Sequence, residues 1–324
     1  MTIPFQRGSR YQKKKETSTG KFTSIDDLRG VFMKTWSLFL ISILMSACAH
    51  AQSEGILRGS DLAPMTLQES VASVRPGSIV VIGENHGFVQ HRDQQVAVMQ
   101  ALRTQGLKVS VGLEFFTYTH QHLVDAYRAG TVTEPEFLKA IQWGSPSYDY
   151  YRSQALFPNL TEGALTLALN APRSVTSSAA KKGLEGLSAD EKAMLPPNFT
   201  LGRDSYKRRF LSMMPHLPTP EAGERYFAAQ SIWDDTMAWK AADFIKTHPD
   251  QVLVIVVGEF HVQYGGGLPD RLRARLPNTP IVTFSQINTL GMEEDEIAVE
   301  IQPSVQDGPR ADYLWLAPAQ SLGL

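Results

Sequence analysis

Short apolar runs alternate with longer amphipathic stretches along most of the chain. Continuous apolar runs are typical of buried strands, and five of them lie at residues 78–83, 108–114, 165–170, 251–258 and 281–284. Weaker strands are expected at 297–301 and 313–316. Apolar strands without alternation favour a parallel sheet that is covered on both faces. The pattern therefore predicts an α/β fold with a mostly parallel sheet flanked by helices.

Helix-forming segments separate these runs. An apolar face within polar sequence predicts helices over about 92–104 and 119–128. Thr133 with Glu136, and Ser188 with Glu191, have the spacing of capping boxes, which open helices. Residues 185–248 are helical in pattern, and we interpret them as a helical insertion or a small second domain.

The N-terminal region has the pattern of a secretory signal. Residues 36–47 carry no charge and follow Lys34, but they are too few to span a bilayer, which needs about 20 residues. Residues 45–48 read M-S-A-C, similar to a bacterial lipobox that ends at Cys48. We therefore expect a lipoprotein anchored to a membrane of the bacterial cell envelope through Cys48, facing the periplasm or the cell surface. Cleavage by ordinary signal peptidase at A-H-A, residues 49–51, is the alternative.

The rest of the organisation follows from these patterns. Residues 1–47 form the signal region, with translation expected to start at Met33, and residues 48–64 are expected to form a linker. Residues 65–290 would form the main domain, and the C-terminal strands would lie in 291–324.

Charge and cysteine content exclude some classes of function. The first 35 residues hold eight of the 31 basic and three of the 33 acidic side chains, so the remaining chain is net acidic. A basic surplus is usual in general nucleic-acid binders, and we expect no nucleic-acid partner. The single cysteine permits neither an intramolecular disulfide nor a cysteine-based zinc or iron–sulfur site.

One motif occurs twice. Residues 80–86 read V-V-I-G-E-N-H and residues 255–261 read I-V-V-G-E-F-H, so each is an apolar strand that ends in Gly-Glu-x-His. Ligands bind beyond the carboxyl ends of strands in open α/β sheets. Two parallel strands would bring two carboxylates and two imidazoles together, a set that suits a divalent metal ion or acid–base chemistry: Glu84, His86, Glu259 and His261. The structural alternative is two turns, each with a capping carboxylate.

Further polar residues follow the predicted strands. Glu114 ends the second apolar run, and Asn170 and Arg173 follow the third. His91 and Arg92 lie on the segment that leaves the first motif. We expect all five side chains to line the same crevice, although Arg92 fits a solvated helix start equally well.

Tyr264 precedes three glycines, at positions 265–267. Glycines permit the close approach of a flat ligand, and exposed backbone N–H groups form anion nests. The alternative is a flexible loop before a helix.

The ordered motifs are similar to those of the ChaN-like family of haem-binding, iron-regulated lipoproteins, in a wider group with Tiki, TraB and erythromycin-esterase-like proteins. The resemblance covers about residues 65–290 and rests on V-I-G-E-N-H, Q-H-R-D-Q-Q, G-L-E-F-F, L-N-A-P-R, Q-S-I-W-D-D-T-M-A and G-E-F-H-V-Q-Y-G-G-G-L-P. It implies an α/β fold with a helical insertion and haem handling in iron uptake. It also implies a haem ligand tyrosine at a subunit interface, with homodimerisation.

Two functions follow from the resemblance and the repeated motif. The first is haem binding, with Tyr264 as the first candidate iron ligand, because a phenolate suits ferric haem, and with His261 and His86 after it. The second is a metal-dependent peptidase or esterase. In that alternative a divalent ion activates water, and Glu84, Glu114 or Glu259 acts as the general base.

Overall fold

The computed structural model describes residues 53–321. The signal region with Met33 and the lipidation site Cys48 lie outside the described residues, so their assignments remain predictions. Between residues 53 and 321, no helix is long and apolar enough to cross a membrane.

The described chain contains eight strands and eleven α-helices, besides short 3-10 turns. The strands are β1 Gly55–Arg58, β2 Pro64–Met65, β3 Ile79–Glu84, β4 Lys108–Thr117, β5 Thr166–Asn170, β6 Gln251–Gly258, β7 Ile281–Asn288 and β8 Tyr313–Ala317. The helices are α1 Leu67–Val71, α2 Val89–Thr104, α3 Gln121–Arg128, α4 Glu134–Ala140, α5 Arg152–Leu156, α6 Arg173–Lys182, α7 Ala189–Ala193, α8 Asp204–Ser212, α9 Pro220–Thr247, α10 Leu268–Arg275 and α11 Glu294–Ile301.

All eight strands form one sheet, in the order β2-β1-β8-β7-β3-β6-β4-β5. The six strands from β8 to β5 in this order are parallel to one another, which confirms the predicted mostly parallel sheet. The β1 strand is antiparallel to both β8 and β2. Residues 55–58 therefore extend the sheet, although the sequence assigned them to a linker.

Helices cover both faces of the sheet. In β3, Ile79 and Val81 belong to an apolar core that α9, α10 and α11 share. Val80 and Ile82 belong to a second core, which side chains from α1 to α5 complete. Successive side chains of a strand point to opposite faces, so a strand that is buried on both sides is apolar throughout.

The 28-residue helix α9 crosses one face of the sheet. It begins at Pro220 after Thr219, whose hydroxyl accepts the Ala222 N–H and so caps the first turn. Gln230 and Asp234, four residues apart, lie on the same side of α9, and both are buried. The helix thereby carries two polar side chains into the interior.

The sequence interpretation was wrong at 297–301, where α11 replaces the predicted strand. Glu293 and Glu296 form a capping box, which opens a helix. Ile297 and Ile301 are four residues apart, so a helix buries both on one face. The predicted capping boxes at Thr133 and Ser188 are present at α4 and α7.

Candidate functional site

The two Gly-Glu-x-His motifs lie side by side, but they are offset by one residue. In the β3–β6 pair, Glu84 is opposite Gly258 and not opposite Glu259. A shift of one residue reverses the face to which every side chain points. Val81 accordingly belongs to the core under α9, whereas its counterpart Val256 belongs to the core under α2. Similar sequences are thus placed in different surroundings.

The glycine of each motif, Gly83 or Gly258, packs closely against the other motif or the residue that follows it. A Cβ on Gly258 would lie 3.1 Å from His86 Cε1 and 3.2 Å from His86 Nε2. A Cβ on Gly83 would lie 2.9 Å from Val262 Cγ2 and 3.0 Å from Glu259 Cα. A side chain at position 83 would therefore displace Val262 or the backbone at Glu259, and one at position 258 would displace the His86 ring by a few tenths of an ångström.

Glu84 is the centre of a buried hydrogen-bond network. Its Oε2 accepts from Gln95 Nε2 at 2.7 Å and from the Tyr150 hydroxyl at 2.6 Å. Its Oε1 accepts from the Tyr151 hydroxyl at 2.6 Å and lies 3.0 Å from His86 Nδ1. Burial first, and the Glu84 charge second, raise the pKa of Tyr150 and of Tyr151. Both phenols therefore stay protonated and donate to the carboxylate.

His86 combines an anchored nitrogen with an accessible ring. Its side chain is 43% exposed, although Nδ1 is held by the buried Glu84 carboxylate. The Phe115 ring lies edge-on at a centroid distance of 5.2 Å. Desolvation lowers the pKa of His86, but the hydrogen bond and charge of Glu84, together with the charge of Glu114, outweigh it and raise this pKa. The Glu84 contact orients the ring and leaves Nε2 on the opposite edge.

His261 is buried, with carboxylates on both sides of its ring. Nδ1 lies 2.6 Å from Asp234 Oδ1, and Nε2 lies 3.5 Å from Glu114 Oε1. Asp234 also accepts from the Tyr206 hydroxyl at 2.9 Å. Desolvation lowers the pKa of His261, but the charges of Asp234 and Glu114 outweigh it and raise the pKa to about 10. His261 is therefore a buried cation at neutral pH.

Glu114, on β4, contacts the second motif directly. Its Oε2 accepts the Gly258 N–H at 2.6 Å, and its Oε1 faces His261. Desolvation raises the pKa of Glu114, but the His261 charge and hydrogen bond, with His86, lower it to about 2. The carboxyl ends of β3, β4 and β6 thus bring His86, Glu114 and His261 together, as the sequence predicted.

Glu259 does not join this group. Its Oε1 accepts from Ser285 Oγ at 2.6 Å and from Arg310 Nε at 2.8 Å, and Oε2 bonds with Gln263. In residues 53–321 no group of three or more His, Cys, Asp or Glu side chains is arranged to hold a metal ion. The predicted four-residue metal set is therefore not assembled, because the register offset directs Glu259 elsewhere.

Tyr264 lies in the turn after the second motif, with a left-handed backbone at φ 57°. Its N–H donates to the Arg310 carbonyl at 2.6 Å, and its ring lies 4.8 Å from the Arg209 guanidinium carbon. The Gly265 and Gly266 N–H groups donate to the carbonyls of residues 262 and 263, so they are not available as an anion nest.

Four other predicted crevice residues make no hydrogen bond or ion pair with Glu114 or with either motif histidine in residues 53–321, although His91 lies near Glu84. Asn170 Oδ1 accepts the N–H of the next residue, and Arg173 is exposed at the start of α6. His91 is fully buried, with Nδ1 accepting the Asn85 N–H at 3.1 Å, and desolvation lowers its pKa to about 4. Arg92 forms an ion pair with Asp93.

Sequence reasoning missed the residues that hold the two histidines. Neither Tyr150 nor Tyr151 belongs to a motif that the sequence singled out, and Gln95 and Asp234 occur only within the family motifs Q-H-R-D-Q-Q and Q-S-I-W-D-D-T-M-A. The signal available for Asp234 was its spacing of four from Gln230 on a long helix, which places two polar groups on one side.

The fold and the site together define an α/β protein whose functional side chains gather beyond the carboxyl ends of its central strands. The chain belongs to the family described as haem-binding uptake, Tiki superfamily, ChaN, whose sequence model matches residues 70–272.

Two solved structures are similar to this chain to different degrees. ChaN of Campylobacter jejuni, described with cofacial haem binding, is similar with a TM-score of 0.57 and 18% identity over 82% of this chain and 96% of that one. The erythromycin esterase EreC is similar with a TM-score of 0.47 and 12% identity over 83% of this chain and 99% of that one. No curated protein sequence matches this chain.

Proposed function

We propose that this protein binds haem for haem or iron acquisition, and that His86 supplies the iron ligand. The observation that carries the proposal is the anchoring of His86. Its Nδ1 is fixed by Glu84, while the side chain is 43% exposed. Histidines that bind metals commonly direct the other ring nitrogen to a carboxylate, which orients the ring and makes the ligand more basic.

The surroundings of His86 suit a flat, largely apolar ligand. Phe115 lies edge-on to the imidazole and stacks on Tyr151 at a centroid distance of 3.8 Å. Trp143 lies 6.5 Å from Phe115, centroid to centroid. Aromatic rings offer large contact areas to a macrocycle. Bound haem would supply an iron with coordination sites and a visible spectrum.

The other two candidate ligands are less well placed. Both ring nitrogens of His261 face carboxylates, and the residue is only 5% exposed. Tyr264 is half-buried beside Arg209. A tyrosinate is nevertheless an established haem ligand, so Tyr264 is the alternative that the experiment must test.

A hemin titration followed by visible absorption tests the proposal. We expect a saturable Soret band for the native protein, and an affinity about 10-fold lower or worse for His86→Ala. His122→Ala is the matched control, because His122 is an exposed histidine on α3. Tyr264→Phe should retain both the band and the affinity. Loss of binding in Tyr264→Phe, with His86→Ala unaffected, would assign the iron to Tyr264 and overturn the assignment of His86.

We also propose that Cys48 anchors the protein to the envelope, as the lipobox pattern suggests. Expression in a bacterial host should give a membrane-associated protein whose mass includes a lipid at its N-terminus. Cys48→Ser should release it into the soluble fraction. A soluble native protein cleaved after residue 51 would overturn the lipoprotein proposal in favour of ordinary secretion.

A further inference from the structure

Three arginines converge on the turn formed by Tyr264, Gly265 and Gly266, and the haem site described above does not use them. Arg203 Nη2 donates to the Tyr264 carbonyl. Arg209 Nη2 donates to the Gln263 carbonyl at 2.7 Å. The side chains come from the segment before α8, from α8 itself and, for Arg273, from α10. We call Arg203, Arg209 and Arg273 the arginine cluster.

The glycines of the turn account for this convergence. A Cβ on Gly266 would lie 2.8 Å from Arg209 Nη2, and a Cβ on Gly265 would lie 3.3 Å from Arg273 Nη1. Gly265 also has a φ of +64°, which side chains rarely adopt. The two glycines thus let two guanidinium groups approach the backbone.

The arginine cluster is short of acidic partners. Asp307 Oδ2, 3.3 Å from Arg209 Nη1, is the single carboxylate paired with it in the described part of the chain. Arg209 Nε is buried without a hydrogen-bond partner. Within residues 53–321, the Arg273 side chain has neither a hydrogen bond nor an ion pair. This leaves donors and positive charge unused on a protein whose body is net acidic.

We propose that the arginine cluster is an oxyanion site, which takes a carboxylate or phosphate group beside the Tyr264 turn. Guanidinium groups present paired N–H donors that match the spacing of carboxylate and phosphate oxygens. The neighbouring Arg310 is excluded from the site, because its guanidinium already pairs with Glu259 and Glu300. The oxyanion is either a propionate of bound haem or a free small anion, and both present the same chemistry to the arginines.

The first test measures inorganic phosphate binding to the whole protein by calorimetry. We expect saturable binding, weakened about tenfold by Arg273→Gln and by Arg209→Gln through the loss of charge-assisted hydrogen bonds. Arg208→Gln is the matched control, since Arg208 is exposed on the same helix as Arg209. Arg273 is also exposed, so its substitution spares the core. Absence of saturable binding, or equal affinity in all four proteins, overturns the site.

The second test identifies the source of the oxyanion. Hemin and its dimethyl ester, which lacks free carboxylates, are titrated into the native protein and into Arg273→Gln. A loss of affinity for hemin but not for the ester identifies a propionate, whereas no loss for either identifies a free anion. An equal loss for both would show that Arg273 acts without an oxyanion, against the proposal. Phosphate binding that persists in His86→Ala would separate this site from the haem ligand.

Discussion

At the scale of single residues, the two histidines of the repeated motif differ in what faces their ring nitrogens. His86 has one carboxylate behind it and an exposed side chain. His261 lies between Asp234 and Glu114, and it is buried. The first arrangement leaves Nε2 without an ion-pair partner among the described residues, whereas the second holds a proton on the ring. One sequence pattern thus yields a candidate ligand and a buried cation.

Haem affinity should depend on pH through His86, because a protonated imidazole cannot bind iron. The Glu84 contact, aided by Glu114, raises the pKa of His86. Binding should therefore weaken as the pH falls through this raised pKa, and hemin dissociation constants measured between about pH 5 and 9 would show it.

Glu84→Gln provides the comparison for that pH profile. Removing the charge lowers the pKa of His86, so the midpoint should move to lower pH. Affinity at high pH should also fall, by about 10–100-fold, because the ring loses its orienting partner. Identical pH profiles for the two proteins would contradict a role of His86 as the ligand.

His261 should remain protonated throughout the neutral range, since its pKa lies at about 10. Asp234→Asn removes a carboxylate that holds the proton, so the pKa should fall towards the ordinary value of about 6.5. Imidazole chemical shifts followed by NMR over pH would report both values. Asp243→Asn, on the exposed side of α9, should leave the titration unchanged. A native His261 that titrates near 6.5 would contradict the ion-pair assignment.

At the scale of elements, the apolar pattern predicted where the strands lie in the sequence but not the register in which they pair. Apolar runs located β3 to β8 except for their exact ends, because a strand covered on both faces must be apolar throughout. The relative offset of β3 and β6 is not encoded by such runs, since neither face is marked by polar residues. The prediction that Glu84 and Glu259 lie close together was wrong for that reason.

Contacts between residues far apart in the chain could not be predicted from the sequence either. Tyr150 and Tyr151 lie 66 and 67 residues from Glu84 along the chain, and Asp234 lies 27 residues before His261. Local propensity carries no information on such contacts. The prediction of a strand at 297–301 was wrong for a local reason instead. The capping box at Glu293 favours a helix more strongly than the β-branched residues of that segment favour a strand.

The close approach of β6 to the first motif can be tested at Gly258. In Gly258→Ala the new Cβ would lie 3.1 Å from His86 Cε1, so the exposed ring must move by a few tenths of an ångström. We expect haem affinity to fall several-fold with little change in melting temperature, because a small displacement of a metal ligand is costly while the core is untouched.

Gly144→Ala is the matched substitution, since a Cβ there meets nothing within 4 Å. It should bind haem as the native protein does. Calorimetric melting and hemin titration of the three proteins together would distinguish misplacement of His86 from general unfolding. Native affinity in Gly258→Ala would show that the position of His86 does not control binding.

At the scale of the whole molecule, a haem bound through an exposed histidine would leave its opposite face open to solvent. The described chain supplies Phe115 and Tyr151 on one side of His86, and the family resemblance implies a haem at a subunit interface. Burial of apolar surface favours covering the open face with another molecule. A second copy of this chain is the occupant that the resemblance implies.

Haem loading should therefore shift the protein from monomer towards dimer. Light scattering on the protein at fixed concentration should give a mass that doubles as hemin approaches one equivalent per chain, because the macrocycle joins the two subunits. His86→Ala should remain monomeric under the same conditions, and His122→Ala should dimerise. A native protein that gains a full Soret band while its mass stays constant would show that one subunit suffices to hold the haem. The apolar wall around Phe115 would then have to cover the macrocycle alone.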